Sequence, residues 1–158
     1  QVTYNFLDQS LLEIIDELIS QNKSIVIKEV LANGRIFKNE NYPYYQKMYA
    51  TLENLATKYK VGVDAIALKY VLQTISNATV LSGASNTNQL TENLKANSFL
   101  LSNDDIQLLK SFKVSPELLL EVVAIGVQKL FFNCCLVLQR WNKVGLHLQQ
   151  KTTLFLKL

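Results

Sequence analysis

The sequence predicts an α/β fold built on a parallel sheet with helices packed outside it. Three observations predict it. Short apolar, β-prone runs alternate with stretches of helical periodicity, in the order strand, helix, strand, helix or helices, strand, helix. The run Ile25-Val26-Ile27 is apolar without alternation, which suits a strand buried on both faces. The chain has 158 residues, 49% of them hydrophobic and 18% charged, the size and balance of one globular domain. Only three strands can be read, so the sheet keeps two open edges and is incomplete by itself.

Val2-Thr3-Tyr4 is short and β-prone, and Asn5 after it marks the end of a strand. Leu11, Leu12, Ile15, Leu18 and Ile19 fall on one face of a helix, with Glu13, Asp16 and Glu17 opposite. The second strand is Ile25–Ile27. Gly34, the polar run 38–41 and Pro43 then make a long loop. Leu52, Leu55, Ala56 and Tyr59 pattern a second helix. Gly62 caps a third, with Asp64 in its first turn against the helix dipole and Ile66, Ala67, Tyr70 and Val71 as its buried stripe. Thr79-Val80-Leu81 is the third strand, and a helix starts at about Thr87. Ser102 is the N-cap of the last one, with Asp105 three residues on as its capping-box partner ahead of Ile106, Leu109 and Phe112.

The stretch "TVLSGASNTNQLTENL" carries the chemistry. Gly83 and the polar cluster Ser85-Asn86-Thr87-Asn88 stand between an apolar run and a helical pattern. Asn86 is a good N-cap, and Gln89 is spaced to reach back to the Asn86 N–H. Free N–H groups and the positive end of a helix then lie just beyond the end of a strand. Gly83 lets a ligand approach the backbone, and Ser85 offers a hydroxyl. Such a helix start favours a phosphate by about 0.3–1 kcal/mol from the dipole alone. Glu92 and Asn93 lie one turn later, in position to read a base edge. By spacing alone, an anion cradle and a plain capped helix both fit.

The segments "LATKYKVGVDAIALKYVLQ", "VLSGASNTNQLTENLKA" and "LLSNDDIQLLKSF" resemble, in that order, the C-terminal part of the aldo/keto reductases. "QVTYN" and "IVIKEVLANGR" look like the two preceding barrel strands of that family. The resemblance runs from Gln1 to about Phe112. It implies a partial (β/α)8 TIM barrel, its last three strands and their helices, over residues 1–113. It also implies reduction of aldehydes and ketones by hydride transfer from NADPH, with NADH as the alternative. The partner in the complete enzyme would be a small carbonyl substrate. Carried over by position, Gln1 looks like the residue that hydrogen-bonds the nicotinamide carboxamide, and Lys28 stands where many members stack a Tyr on the nicotinamide. Gly83, Ser85, Asn86 and Gln89 lie in the segment that holds the adenosine 2′-phosphate. Glu92 and Asn93 match the adenine-contacting pair.

Three departures stand against this pattern. Many members have Lys where Gly83 stands and Arg where Gln89 stands, so the preference for NADP over NAD is open. Lys28 removes an aromatic platform. The family's catalytic Asp, Tyr, Lys and His all precede the position matching Gln1, so no catalytic residue is assigned. None of the seven tyrosines matches the proton donor, and His147, the only histidine, lies beyond the resemblance. The chain therefore reads as a fragment of a cytoplasmic reductase. The alternative is a non-catalytic, nucleotide-binding interaction subunit of the same fold.

The charge of +3 is unevenly split. Residues 1–121 hold eleven basic and all thirteen acidic residues, and residues 122–158 hold five basic and none acidic. The acid-free end of the tail 114–158 has three readings: a basic amphipathic helix for a membrane surface or partner, an apolar extension packing where the missing barrel half would lie, or a sequence downstream of a frameshift. No apolar run approaches the roughly 18 residues of a membrane span, and the N-terminus lacks a signal-peptide pattern. Adjacent Cys134 and Cys135 with one His give no zinc-ligand spacing and are expected reduced. No metal, nucleic-acid or membrane partner is expected.

Overall fold

The structure is a computed structural model that describes residues 1–76 and 78–115. The expectations placed on the acid-free tail, on Cys134 and Cys135 and on His147 fall outside these residues, apart from the tail's first two positions. The described elements are β1 (Val2–Thr3), α1 (Ile15–Ser20), β2 (Ile25–Lys28), α2 (Gln46–Tyr59), α3 (Val63–Thr74), β3 (Ala78–Val80), α4 (Thr87–Leu94) and α5 (Asn103–Lys110). The three strands form one parallel sheet in the order β1-β2-β3. Val2 pairs with Ile27, and Ile25, Val26 and Ile27 pair with Ala78, Thr79 and Val80. The predicted alternation and parallel pairing are therefore present, and β1 and β3 each lack a second neighbour in the described sheet.

Burial along β2 alternates more than the apolar triplet suggested. Ile25 and Ile27 are buried, Val26 is half-buried and Lys28 is exposed. The Val26 side of the sheet, which continues through exposed Thr79, is the face that a three-stranded sheet leaves uncovered. The third strand begins one residue earlier than predicted, but Leu81 N–H still donates to Ile27 O at 2.9 Å and so prolongs the ladder.

The core forms around α3. Ala65 through Val71 are all buried, with Ile66, Ala67, Tyr70 and Val71 fully inaccessible, so this helix is enclosed on nearly every side. Full burial of side chains such as Ile66 and Val71 stabilises by about 1.5–3 kcal/mol each. Tyr4 and Phe6, at the end of β1, pack on Tyr70, stacked and edge-on respectively, both with centroids 6.0 Å apart. The Tyr4 hydroxyl donates to Thr74 Oγ1 at 3.0 Å and lies 3.3 Å from the Tyr70 hydroxyl. Burial, and then the bond with Tyr4, push the Tyr70 hydroxyl far above its ordinary pKa. On another side, Gln73 holds Leu101 at both backbone groups, at 2.7 and 3.2 Å, fixing the α4–α5 connector. Gln9, itself buried, donates to Phe6 O and Lys110 O, tying the end of α5 to the start of the chain.

Two sequence expectations need correction. The first helix is broken: a 3-10 turn over Ser10–Glu13 precedes α1, and Ile14 between them is non-helical. The Asp8 carboxylate holds the Ser10 N–H and hydroxyl and starts a separate turn. Leu11 is buried and Leu12, Ile15 and Leu18 are half-buried, so four of the five apolar residues keep the inward side, while Ile19 stays about half exposed. The capping box of α5 is also only half formed. Ser102 Oγ accepts the Asp105 N–H at 3.2 Å as predicted. The Ser102 N–H, however, goes to the Tyr59 hydroxyl rather than to Asp105. The Asp105 carboxylate instead takes Lys58, Tyr59 and Ser102.

Two predictions follow from these networks. Tyr4→Phe leaves the buried Tyr70 hydroxyl without its partner and should destabilise the chain by about 1–3 kcal/mol in urea denaturation. An unchanged urea midpoint would contradict it. Burial of Asp105 raises its pKa, but hydrogen bonds from Lys58, Tyr59 and Ser102 outweigh that and bring it from 3.8 to about 2. A carboxylate depressed in the folded state stabilises above the unfolded value, and that stability drains away as pH falls from 3.8 towards 2. The loss of stability over this window should be smaller in Asp105→Asn than in the parent chain, measured by thermal unfolding at each pH.

Candidate nucleotide-binding site

Parallel pairing puts the ends of β2 and β3 side by side, and the loops that leave them enclose two adjoining cavities. One, of about 290 Å³, is lined by residues including Glu29, Leu31, Asn33, Leu81, Gly83 and Asn93. The other, of about 240 Å³, adds Phe37, Asp64, Ala84 and Gln89 and shares Leu31, Gly34, Gly83 and Asn93 with the first.

The loop after β2 is unusual in its backbone. Glu29, Ala32 and Asn33 have φ of 59°, 49° and 53°, and Gly34 has 84°. For non-glycine residues this left-handed region costs about 1–2 kcal/mol each. Strain of this kind is retained where the surrounding structure fixes the loop. Here Ala32 N–H donates to Glu29 O at 2.8 Å and Asn5 Nδ2 donates to the same oxygen at 3.0 Å.

The loop after β3 is held from within. Asn86 Oδ1 accepts the Gln89 N–H at 2.9 Å, which is the predicted N-cap of α4. Gln89 does not reach the Asn86 N–H, as its spacing suggested. Its Oε1 instead accepts from the Ser85 N–H at 2.8 Å and the Ser85 hydroxyl at 3.0 Å. Of the amides at this helix start, those of Thr87 and Asn88 keep no recorded partner among the described residues. Asn93 is buried and donates from Nδ2 to Ser82 Oγ at 2.9 Å, so its side chain ties the body of α4 to the end of β3. A Cβ added to Gly83 would meet nothing within 4 Å, which means that open space lies directly against this backbone. Gly62 is the opposite case: an added Cβ would collide with Asp64 Oδ1, so its hydrogen lets the carboxylate fold back onto the Ala65 N–H.

The sequence-derived residues separate into two groups. Gly83, Gln89 and Asn93 line the cavities. Ser85 and Asn86 stand beside them as internal supports. Glu92 faces Lys95, whose ammonium lies 2.7 Å from both carboxylate oxygens. Gln1 is exposed just before β1, and Lys28, exposed at the end of β2, pairs with Glu29 at 3.2 Å; neither lines either of these two cavities. The sequence reading did not single out Glu29, Asn33 or Asp64 as lining residues. The glycine and asparagine in "EVLANGR" were the signal for a left-handed turn there.

A second polar cluster, Lys58, Tyr59 and Asp105, superficially suggests acid–base chemistry. It lines neither cavity, and its bonds close on the N-terminus of α5. The tyrosines displaced from the ordinary range, Tyr45, Tyr49 and Tyr70, are all pushed upward, in each case first by burial. A proton-donating tyrosine for carbonyl reduction needs the reverse. Among the described residues no group of three His, Cys, Asp or Glu is placed to hold a metal, and no helix is long and apolar enough to cross a membrane.

Comparison with known proteins adds the family context. The sequence profile described as "Aldo/keto reductase family" matches residues 1–113. Among solved structures, the thermostable aldo-keto reductase Tm1743, crystallised with the inhibitor epalrestat, is 26% identical with a TM-score of 0.58. That match covers 71% of this chain and 38% of Tm1743. A mutant of Gox0644 in complex with NADPH matches at 18% identity and a TM-score of 0.56, over 72% of this chain and 36% of that one. MGS-M4, an aldo-keto reductase enzyme from a Medee basin deep-sea metagenome library, matches at 15% and 0.55, over 72% and 37%. The last two likenesses concern the fold alone. The chain spans less than two-fifths of the length of each of these structures. No curated protein sequence matches it.

Relief of strain in the loop after β2 is measurable. Ala32→Gly removes a Cβ at a positive φ, so it should leave stability unchanged or raise it by about 1 kcal/mol, whereas Ala67→Gly inside α3 should lower it by at least about that much. Equal losses from both substitutions in chemical denaturation would show that the loop is not strained.

Proposed function

The chain belongs to the aldo/keto reductase family, and from that premise we propose that it forms the nucleotide-holding end of an NAD(P)H-dependent carbonyl reductase. The whole protein would reduce aldehydes or ketones. The observation that carries this reading is the open space against the Gly83 backbone, at the joined ends of β2 and β3 and beside the start of α4. An approachable backbone, unpartnered helix-start amides and a buried asparagine suit the adenosine end of a dinucleotide.

The roles divide by position. Gly83 leaves room for the ligand against the backbone, and the Thr87 and Asn88 amides offer N–H donors at the positive end of α4. Asn93, anchored to Ser82, presents its remaining carboxamide oxygen to a base edge. Gln1, just before β1, and Lys28, at the end of the neighbouring β2, belong to the nicotinamide side. When bound, the nicotinamide supplies the hydride that reduces the carbonyl carbon. The residues before Gln1 in the family pattern supply the acid, so the present chain by itself is expected to bind nucleotide and to turn over aldehyde no faster than the blank.

The test is residue-resolved binding. Titration of the full 158-residue chain with NADH or NADPH should shift the backbone amide resonances of Gly34, Gly83 and Asn93 in a proton–nitrogen correlation spectrum. Gly83→Leu fills the space in which an added Cβ meets no atom of the protein, so it should preserve the spectrum and abolish the shifts. Dinucleotide shifts confined to other regions, or unaffected by Gly83→Leu, would refute the reading.

A further inference from the structure

Resting on the nucleotide reading above, we infer that the cavities receive an adenosine whose ribose carries a free 2′-hydroxyl rather than a 2′-phosphate, which makes the chain's dinucleotide NAD(H) rather than NADP(H). The first ground is charge. The lining of the two cavities holds no Lys or Arg; of its two carboxylates, Glu29 is paired with Lys28 and takes Asn33 Nδ2 at 3.2 Å, and Asp64 has no ion pair among the described residues. Asp64 uses Oδ1 on the Ala65 N–H at 3.0 Å and keeps Oδ2 without a recorded hydrogen bond among the described residues. A carboxylate oxygen accepts a hydrogen bond from a ribose hydroxyl and repels a phosphate in the same place.

The second ground is that two of the donors beside the helix start are already taken. The Ser85 N–H and hydroxyl both point at Gln89 Oε1, so a neutral oxygen of the chain itself occupies the donors that a phosphate oxygen would need. The third ground is the state of the neighbouring cations. Lys28 pairs with Glu29 at 3.2 Å and Lys95 lies 2.7 Å from both oxygens of Glu92. Recruiting either for a phosphate would strand its carboxylate beside the new anion. A bidentate or clustered basic site, the usual means of holding a phosphate monoester, is not built into this lining.

The experiment compares two probes that differ only in the 2′-phosphate: 5′-AMP and adenosine 2′,5′-bisphosphate. Each is titrated into the full chain at low salt, with the Gly34, Gly83 and Asn93 amides as readout. We expect 5′-AMP to bind at least about tenfold more tightly, the size of effect one carboxylate exerts across a partly solvated site. Asp64→Asn should narrow that ratio, and Gln89→Arg should narrow or invert it. Glu29→Gln serves as a second charge-removing variant if Asp64→Asn unfolds. Equal or tighter binding of the bisphosphate at these amides would overturn the inference while leaving the nucleotide reading intact. A ratio unmoved by all three substitutions would overturn it as well. Failure of both probes, and of NADH and NADPH, to shift these amides would sink the nucleotide reading and the inference together.

Discussion

The pairing of β2 with β3 is the constraint on which the rest of the site depends. Val26 opposite Thr79 and Ile27 opposite Val80 fix a parallel register, and the bond from Leu81 N–H to Ile27 O carries it one step past the strand. Because the strands are parallel, both chains leave the sheet at the same end. The loop at 29–34 and the loop at 82–86 therefore face each other, and the space between them is the candidate site. In doubly wound and barrel folds alike, ligands gather at the carboxyl ends of parallel strands for this geometric reason. A slip of one residue would turn Ile25 and Ile27 to the open face and part the two loops.

That register is maintained by α3. A helix buried on nearly all sides is a poor surface element and a good keystone: Tyr70 meets the aromatic end of β1, Gln73 holds the connector before α5, and Leu68 reaches the larger cavity. The site thus shares a wall with the core. Asp64, at the first turn of the same helix, lines the smaller cavity. One element accordingly contributes packing at its middle and charge at its start, so changes in the core should reach the site through a rigid body rather than a loop.

Much of this could be read from residue order. The apolar triplet at Ile25, the stripe Ile66-Ala67-Tyr70-Val71 and the Asn86 cap depend on local pattern, and each is present where its pattern lies. Three features were not legible, the first a choice between local partners and the other two set by distant neighbours. Gln89 bonds Ser85 instead of Asn86 because the loop curls back over the helix start. Ser102 finds Tyr59 because α2 packs nearby, 43 residues away in sequence. Val26 is less buried than its neighbours because a three-stranded sheet leaves one face open, which no property of Val26 reveals. The lining role of Asp64 was hidden similarly: its place in the first turn of α3 predicts a helix-dipole contact, while its proximity to Gly83 is a tertiary fact.

Asn5 shows how the strained loop is sustained. Its Oδ1 accepts the N–H groups of Leu7 and Asp8 at 3.0 and 2.9 Å, and its Nδ2 donates to Glu29 O at 3.0 Å. One buried amide thereby orders the turn after β1 and grips the residue whose positive φ opens the turn after β2. Asp could accept the same two N–H groups but could not donate to Glu29, and Leu would strand both N–H groups and leave Glu29 O with the Ala32 N–H alone. Positive φ at Glu29 and Ala32 is thus not a local preference, since Glu and Ala disfavour it, whereas Asn33 and Gly34 tolerate it. At Glu29 it is supported by the Asn5 contact across the sheet and by the Ala32 N–H. The same contact holds the backbone from which the Glu29 carboxylate reaches Lys28 and Asn33 at the rim of the cavity.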